Sequence, residues 1–284
     1  MPIDVDKVVG VELPGSEWEW DADRVILYHL GLGAGVPATD PGELAYCYEA
    51  SLKVLPSFGV LPVFGTLIGM IMLPGMEVNP MMVLHGEQDL EVHRPVPTAG
   101  RVANTGRVVS VFDKQKGAVV VVETESTLPG GELLFTNRFS SFVRGEGGFG
   151  GESGPAPGNV APDRAPDLTV ESATLLQQAL LYRLSGDKNP LHADPSMAAL
   201  GGFDRPILHG LCSYGIVCRA AVDHLLEGDV DRVRRYQARF AGVVFPGETI
   251  VTSMWREDDR IVLAAETKDR GTPVITNAAI TVGD

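Results

Sequence analysis

Residues 181–214 read LYRLSGDKNPLHADPSMAALGGFDRPILHGLCSY. An apolar helical run stops just before a loop that carries Asp187, Asn189 and His192 within six residues. Pro190 prevents the helix from continuing, because proline lacks an N–H and disfavours helical geometry at the residue before it. The spacing therefore predicts three polar side chains on one rigid, non-helical segment.

The same stretch contains candidates for both an acid–base pair and an oxyanion donor. A carboxylate and an imidazole as close in sequence as Asp187 and His192 can hold one water molecule between them, which general acid–base catalysis requires. A second helix is predicted to begin at His209-Gly210 and to run to about Leu226. A glycine N–H at a helix start is a natural donor to negative charge developing on an oxygen.

The run YRLSGDKNPLH at 182–192 resembles the signature of the (R)-specific enoyl-CoA hydratases, also called hydratase 2 or MaoC-like dehydratases. It is similar to the hydratase part of peroxisomal multifunctional enzyme type 2. Further stretches carry the resemblance over nearly the whole chain: VLPSFGVLPVF (54–64), HGEQDLEVHRPVP (85–97), DKQKGAVVVVETES (113–126), RGEGGFGG (144–151) and GFDRPILHGLCSYG (202–215). The resemblance implies an α+β hot-dog fold, in which an antiparallel sheet wraps a long helix.

The resemblance also implies a reaction without a cofactor: syn addition of water to a trans-2-enoyl-CoA, giving a (3R)-3-hydroxyacyl-CoA in fatty-acid or steroid side-chain β-oxidation. Asp187 and His192 would activate the water, Asn189 would orient them, and the Gly210 amide would polarise the thioester carbonyl. Contacts to substrate or CoA are implied for His85, Gly86, Lys114, Lys188, Pro190, Leu191 and Phe240.

The same residue types can also serve a metal site or a serine nucleophile. Metal-ligand types occur at Asp187, His192, Asp194 and His209, but no HExxH motif or cysteine pair is present, so no metal is predicted. A serine nucleophile would have to be Ser185, Ser196 or Ser213, none of which lies in a G-x-S-x-G elbow.

The basic residues allow alternative interpretations. Lys114 falls in a predicted turn, where lysine is common, and Lys188 could simply face water. The densest basic cluster, which could also meet phosphates, is Arg234, Arg235 and Arg239.

Composition excludes several classes of function. The chain has 284 residues, 44% hydrophobic and 21% charged, which is ordinary for a globular protein of one large or two smaller domains. A formal charge of −14 opposes nucleic-acid binding, because phosphate contacts need a basic surface. It also means that an anionic ligand such as CoA needs a local cluster of lysine or arginine.

The cytoplasm is the expected compartment. The three cysteines, Cys47, Cys212 and Cys218, form no CxxC, and their odd number favours a reducing environment. No signal-peptide pattern opens the sequence, and the chain ends in VGD rather than a peroxisomal tripeptide. The most apolar run, 58–73, is short and interrupted by glycine and proline, so no membrane span is expected.

Residues 18–32 are predicted to form a helix that begins near Asp21 or Asp23. The GLGAG at 31–35 lacks the preceding strand that a nucleotide-binding loop needs, which favours a glycine-rich helix exit instead. The run 58–73 is predicted to be a buried helix, whose glycines would let backbone or a ligand approach closely.

An antiparallel meander is predicted from residue 83 onward. The strand-like runs are VLHGEQDLEVHRP (83–95), RVANTGRVVSVFD (101–113), GAVVVVETEST (117–127) and ELLFTNRFSSFVR (132–144), separated by turn sequences. Residues 145–167 are rich in glycine and proline without apolar periodicity, which predicts a linker across a surface.

The order of elements then repeats: a helix over 171–184, the loop with Asp187, the helix from His209, and four strand-like runs in 233–282. Matching residue pairs indicate an internal duplication, for example Leu27-Tyr28 with Leu181-Tyr182 and Thr136-Asn137 with Thr276-Asn277. The prediction is a double hot-dog, with an N-terminal unit (1–144) accommodating the acyl-CoA, a linker (145–167) and a C-terminal catalytic unit (168–284).

Only the second unit carries the catalytic candidates, because the first has GAGVPATD at 33–40 where the second has GDKNPLH. One active site per chain is therefore expected. Two rival functions remain, a hot-dog acyl-CoA thioesterase and a non-catalytic acyl-CoA-binding subunit. A homodimer is expected from family habit and from the open sheet edges, and the acyl group is left open among short, long, branched and steroid side chains.

Overall fold

The structure, a computed structural model, describes residues 3–283. The α-helices are α1 (Val5–Val8), α2 (Ala22–Gly31), α3 (Pro41–Cys47), α4 (Phe64–Ile68), α5 (Gln178–Tyr182), α6 (Pro195–Leu200) and α7 (Gly210–Leu225). Short 3₁₀ segments occupy Glu49–Ser51, Pro56–Val60, Gly69–Met72, Pro80–Met82, Arg183–Ser185, Pro190–His192 and Val230–Arg232. The strands are β1 (Glu12–Trp20), β2 (Val83–Val92), β3 (Gly100–Asp113), β4 (Gly117–Thr127), β5 (Leu133–Arg144), β6 (Leu168–Ala173), β7 (Val233–Phe240), β8 (Thr249–Arg256), β9 (Arg260–Thr267) and β10 (Pro273–Val282).

Within residues 3–283, ten strands form one antiparallel sheet in the order β1-β3-β4-β5-β2-β7-β10-β9-β8-β6. This order is symmetric about the centre of the sheet, where β2 pairs with β7. Each strand of the first half has a counterpart in the second half at the same distance from that centre. The strand order confirms the predicted duplication, and the fold is the α+β double hot-dog.

The long helix α7 lies at the centre of the main apolar core. Twelve of its 16 residues are buried, and the helix packs against strands of the second half and against the segment Pro56–Val60 of the first half. Helices α2 and α5 contact each other where the two halves correspond, with the Tyr28 and Tyr182 rings 6.0 Å apart. Gly31 lies against the backbone of Tyr182, since a Cβ there would come within 3.1 Å of its Cα. The equivalent aromatic residues therefore meet at the interface of the two halves.

In both units a strand that the sequence interpretation missed precedes the first predicted helix. Residues 18–20 belong to β1 rather than to a helix, because the side chains alternate: Trp20 is buried and Glu19 is exposed. Helix α2 starts at Ala22, after the side chain of Asp21 accepts the Arg24 N–H at 2.9 Å. Likewise, the helix predicted over 171–184 is the strand β6 followed by the short helix α5.

The prediction of a buried helix over 58–73 was wrong. The chain there forms two 3₁₀ segments with the five-residue helix α4 between them. Glycines bring this backbone against neighbouring strands: a Cβ at Gly59 would lie 2.7 Å from the Phe135 ring, and one at Gly69 would lie 2.7 Å from Pro14. The offset of 154 residues between Tyr28 and Tyr182 makes this segment the counterpart of α7, so the first unit lacks a continuous central helix.

The remaining strand predictions are confirmed to within a few residues. Residues 145–167 contain no helix or strand, as the composition indicated. The carboxylate of Asp113 accepts the N–H groups of Gly148 and Gly150 at 2.8 and 2.7 Å, which fixes the first part of this linker. Further along, the Asn277 side chain donates to the Gly158 carbonyl at 2.9 Å. The linker thus crosses the sheet as a segment that is held by hydrogen bonds at both of these places.

No helix in the part of the chain that the structure describes is both long and apolar enough to span a membrane.

His29 is a buried titratable residue of α2 that hydrogen-bonds the segment after the helix. Its Nδ1 lies 2.8 Å from the Tyr46 carbonyl and its Nε2 accepts the Leu55 N–H at 3.2 Å. Burial lowers the pKa of His29 to about 3, and the positive charges of Arg219 and Lys53 act in the same direction. The native state therefore holds this imidazole neutral.

We predict that His29 makes the fold acid-sensitive. Its pKa is about 6.5 in the unfolded chain, so below that pH the unfolded state takes up a proton that the native state does not. The stabilisation is complete above pH 6.5 and declines as the pH falls towards the native value. Between pH 7 and pH 5 the free energy of unfolding should fall by about 2 kcal/mol more in the wild type than in His29→Gln. Urea unfolding at both pH values measures this difference. The matched control is His224→Gln, at an exposed histidine, and equal pH slopes for all three proteins would contradict the prediction.

Candidate active site

The loop after α5 is held by its own side chains. The Asp187 carboxylate accepts the Asn189 N–H at 3.0 Å, and the Asn189 side-chain oxygen accepts the Leu191 N–H at 3.0 Å. Gly186 has a φ of 141°, which allows the chain to leave the helical segment and turn. Pro190 begins a short 3₁₀ turn that ends at His192. Hydrogen bonds within the loop therefore fix its conformation, and its one regular element is this turn.

His192 is buried, with 8% of its surface exposed. Its Nδ1 lies 2.9 Å from the Ile207 carbonyl, so Nδ1 carries the proton and the Nε2 lone pair is free to accept one. Burial lowers the pKa of His192 below 6.5, against the opposing effects of the Ile207 carbonyl and the Asp187 charge. The imidazole is therefore neutral near pH 7, as a general base must be.

Three acid–base side chains converge here. One ligand atom from each of Asp187, His192 and His209 lies within 4.8 Å of the others. The two imidazole rings are stacked, with centroids 3.7 Å apart and planes 26° apart. A metal ion must lie near the plane of each imidazole that binds it, and two stacked planes do not share such a point. The cluster fits a bound water better than a metal, and Asp194 lies outside it, capping α6.

Gly210 is the first residue of α7 and is exposed, while the residues after it are buried. As the first helical residue it has an N–H with no acceptor inside the helix. It directly follows His209, whose ring is stacked on that of His192. Helix α7 has 16 residues, and its dipole adds partial positive charge at this end.

Three of the expected substrate-contact residues meet near Gly210. The Phe240 ring is close enough that a Cβ at Gly210 would lie 3.2 Å from it. The His85 ring packs at 4.8 Å from Phe240 and at 5.2 Å from Phe139. Gly86 forms a bulge in β2, where the pairing register with β5 shifts. Burial lowers the pKa of His85 to about 4, so at pH 7 this ring offers a flat polar surface without charge.

Lys114 lies apart from this group. It is exposed in the turn between β3 and β4, and its ammonium donates to the Ser153 carbonyl of the linker. It lines a cavity of about 650 Å³ between the linker and the sheet, whose walls also include Arg138 and Arg239. Asp187, His192 and Gly210 are not among its lining residues. Glu87 and Ser140 are, and these flank the bulge at Gly86.

The other basic candidates differ in what they contact. Arg235 donates two hydrogen bonds to Asp89, at 2.8 and 2.6 Å, so it is engaged within the protein. Arg239 lies 3.6 Å from Glu87. Arg234 and Lys188 are exposed.

The remaining candidates are two residues of the loop and three serines, which differ in their exposure. Pro190 is exposed and Leu191 is half-buried beside Gly201. Ser185 and Ser213 are buried and Ser196 is exposed. None of these three serine hydroxyls bonds a histidine within the described range, so the site has no serine–histidine pair.

The sequence interpretation did not single out His209 for this site except as a metal-ligand type. A signal was present, because serine, threonine, aspartate and asparagine are the usual helix N-caps and histidine is not. In the structure His209 is the N-cap of α7, and its side chain makes no capping hydrogen bond. Its ring instead faces the loop of Asp187.

Comparison with known proteins agrees with the fold. The model of the MFE-2 hydratase 2 N-terminal domain matches residues 18–145, and that of the MaoC like domain matches 158–278. The Mycobacterium tuberculosis protein named enoyl-CoA hydratase ChsH3 is 47% identical over 277 residues, covering 97% of each chain. A solved MaoC-like dehydratase from Phytophthora capsici has a TM-score of 0.88 at 33% identity, covering 99% of each chain.

A longer relative also matches. Peroxisomal multifunctional enzyme type 2 of Mus musculus is 40% identical over 279 residues, which are 96% of this chain and 38% of that enzyme. This chain thus corresponds to about two fifths of the mouse enzyme. The resemblance drawn from the loop signature is confirmed, and the chain belongs to the hydratase 2 family of MaoC-like enzymes.

Proposed function

We propose that this protein is an (R)-specific 2-enoyl-CoA hydratase, which adds water to a trans-2-enoyl-CoA to give a (3R)-3-hydroxyacyl-CoA in β-oxidation. The observation that carries the proposal is the convergence of Asp187 and neutral His192, whose Nε2 is free, beside His209, the residue directly before the Gly210 N–H. Relatives named enoyl-CoA hydratase share 40–47% of the sequence over most of the chain and support the same reaction.

Each group has one part in the proposed reaction. Asp187 and His192 hold a water molecule, whose oxygen bonds to C3 of the substrate. The C2–C3 π electrons move towards the thioester oxygen, where the Gly210 N–H stabilises the negative charge. The proton released by the water is then delivered to C2 on the same face, which restores the acid–base pair. Asn189 orients the loop, since its side chain holds the turn that ends at His192.

The two units have different proposed roles. The unit 168–284 supplies the acid–base pair and the oxyanion donor, while the unit 1–144 supplies His85, Gly86 and Lys114 to the substrate. Residues 145–167 join them. In the first unit the counterpart of the catalytic loop contains no histidine, and its Asp40 caps α3 by accepting the Glu43 N–H at 3.0 Å. One active site per chain follows.

For CoA we propose a path from Gly210 to Lys114. The thioester end lies among Gly210, Phe240 and His85, where the glycine leaves room and the rings provide flat surfaces. The bulge at Gly86 leads towards the 650 Å³ cavity, whose lining includes Lys114. A lysine ammonium is a suitable point charge for a phosphate. The exposed Lys188 and Pro190 and the half-buried Leu191 are proposed to form the loop side of this path.

We further propose a cytoplasmic homodimer. All three cysteines are free, which suits a reducing compartment. Large apolar side chains are exposed at Leu176, before α5, at Leu180, within it, and at Leu184, after it, and this surface is suited to a second copy. Sedimentation equilibrium should give twice the 30.3 kDa chain mass, and cell fractionation should place the hydratase activity with cytoplasmic markers. A monomer, or activity in an organelle fraction, would contradict the respective part.

Removal of either acid–base group should abolish most of the activity in a folded protein. For Asp187→Asn and His192→Ala we expect hydration of crotonyl-CoA to fall by about 10²–10⁴-fold, because proton transfer by a placed side chain contributes that much. Loss of the enoyl-thioester absorbance measures hydration. Asp194→Asn, which makes the same change at the exposed cap of α6, should remain close to wild type.

The same assay separates the rival functions. The wild type should convert the enoyl-CoA without releasing free thiol, and chiral analysis of the product should give the (3R) isomer. Release of free CoA would show a thioesterase. Unchanged hydration in both Asp187→Asn and His192→Ala would remove these residues from the mechanism.

Lys114 should contribute to CoA binding and not to the chemistry. In Lys114→Ala we expect KM for crotonyl-CoA to rise roughly 3- to 10-fold with kcat nearly unchanged, because an exposed charge contact is made equally in the ground and transition states. Lys116→Ala, in the same exposed turn but outside the cavity lining, is the matched control. On a crotonyl thioester of N-acetylcysteamine, which lacks the phosphates, wild type and both variants should agree. An equal KM effect on the short thioester would exclude the phosphate contact.

A further inference from the structure

Two reciprocal hydrogen bonds connect the Asp187 loop to the segment that leads into α7. His192, on the loop, binds the Ile207 carbonyl through Nδ1 at 2.9 Å. His209, on the other segment, binds the Asp187 carbonyl through Nε2 at 3.2 Å. Each imidazole thus reaches across to the backbone of the opposite segment, and the two rings stack at 3.7 Å between the bonds.

The position of His209 is determined from several sides. One face of its ring lies against His192, and the Tyr182 ring lies 5.0 Å away at an interplanar angle of 51°. The side chain is 1% exposed, and it does not cap the helix that it precedes. Its Nδ1 is buried without a hydrogen-bond partner in the described chain, so Nε2 carries the proton and donates to the Asp187 carbonyl.

We propose that His209 is a positioning residue, whose Nε2–H bond to the Asp187 carbonyl and stacking on His192 hold the water-activating pair at a fixed place relative to the Gly210 N–H. This role rests on the proposed hydratase function and adds a residue to it. Gly210 is the residue that follows His209, so any displacement of the loop relative to this segment changes the distance between the water and the oxyanion donor.

The surroundings of His209 exclude a direct part in proton transfer. Burial, reinforced by the neighbouring His192, lowers the pKa of His209 to about 2, so the ring does not take up a proton at working pH. Its Nε2 is committed to a backbone carbonyl, and its face is covered by His192. What His209 supplies is therefore orientation, and misplacement of reacting groups by about 1 Å can lower a rate by about 10².

Two substitutions separate the hydrogen bond from the stacking. His209→Phe keeps a flat ring against His192 and loses the donor. His209→Gln keeps an N–H near the position of Nε2 and loses the ring. Kinetics with crotonyl-CoA should show kcat lowered about 10- to 100-fold in His209→Phe, with KM within roughly 3-fold of wild type. His209→Gln should regain a part of kcat, to within about 10-fold of wild type.

Tyr182→Phe is the matched control. It removes a buried hydroxyl that has no partner among the described residues, on a residue whose ring lies 5.0 Å from the His209 ring, and should leave kcat unchanged. Thermal unfolding of all variants shows whether they fold. Wild-type kcat in folded His209→Phe, or equal losses in kcat and stability for the Phe and Gln variants, would overturn the positioning role. If the wild type itself does not hydrate crotonyl-CoA or a longer enoyl-CoA, the proposed function fails instead.

Discussion

The pairing of β2 with β7 is the constraint on which the rest of the structure depends. Five consecutive residue pairs, from Glu87 with Arg239 to Glu91 with Arg235, join the two halves of the sheet at its centre. Asp89 accepts two hydrogen bonds from Arg235 on the adjacent strand, and Leu90 lies opposite Tyr236 in the core. Without this junction the halves would expose two sheet edges and part of the core around α7.

The junction also explains why residues far apart in sequence meet. His85 and Gly86 lie at one end of the paired part of β2, and Phe240 lies at the end of β7 beside it. Helix α7 packs against β7, so its first residue, Gly210, comes to the same place. The loop of Asp187 is then attached to the start of α7 by the paired imidazoles. The site is thus assembled at the central strands rather than within either unit alone.

Much of this was predictable from the sequence, for definable reasons. Strand runs such as 117–127 carry β-branched residues between turn signals, and the structure places β4 there. The loop residues Asp187 and His192 are close in sequence, so their proximity needed little tertiary information. By contrast, Trp18-Glu19-Trp20 was assigned to the helix that follows, although its alternation of buried and exposed side chains has the period of a strand.

The features that could not be predicted depend on contacts distant in sequence. The apolar run 58–73 has the composition of a buried helix, and only the close approach of Phe135 and Pro14 to Gly59 and Gly69 accounts for its interruption. The stacking of His209 on His192 depends on where α7 begins in space. The contact of Lys114 with the Ser153 carbonyl depends on the path of the linker across the sheet, which composition does not specify.

The mirror order of the strands has a consequence for how such a chain diverges. In an assembly of two identical subunits, both copies carry every substitution. A substitution that widens the acyl channel in one copy therefore also disrupts the catalytic loop of the other copy. Covalent fusion removes that coupling. Here one copy of the repeat has an interrupted helical segment and no histidine in the corresponding loop, while the other copy has a continuous helix and His192, and a substitution in one half leaves the sequence of the other half unchanged.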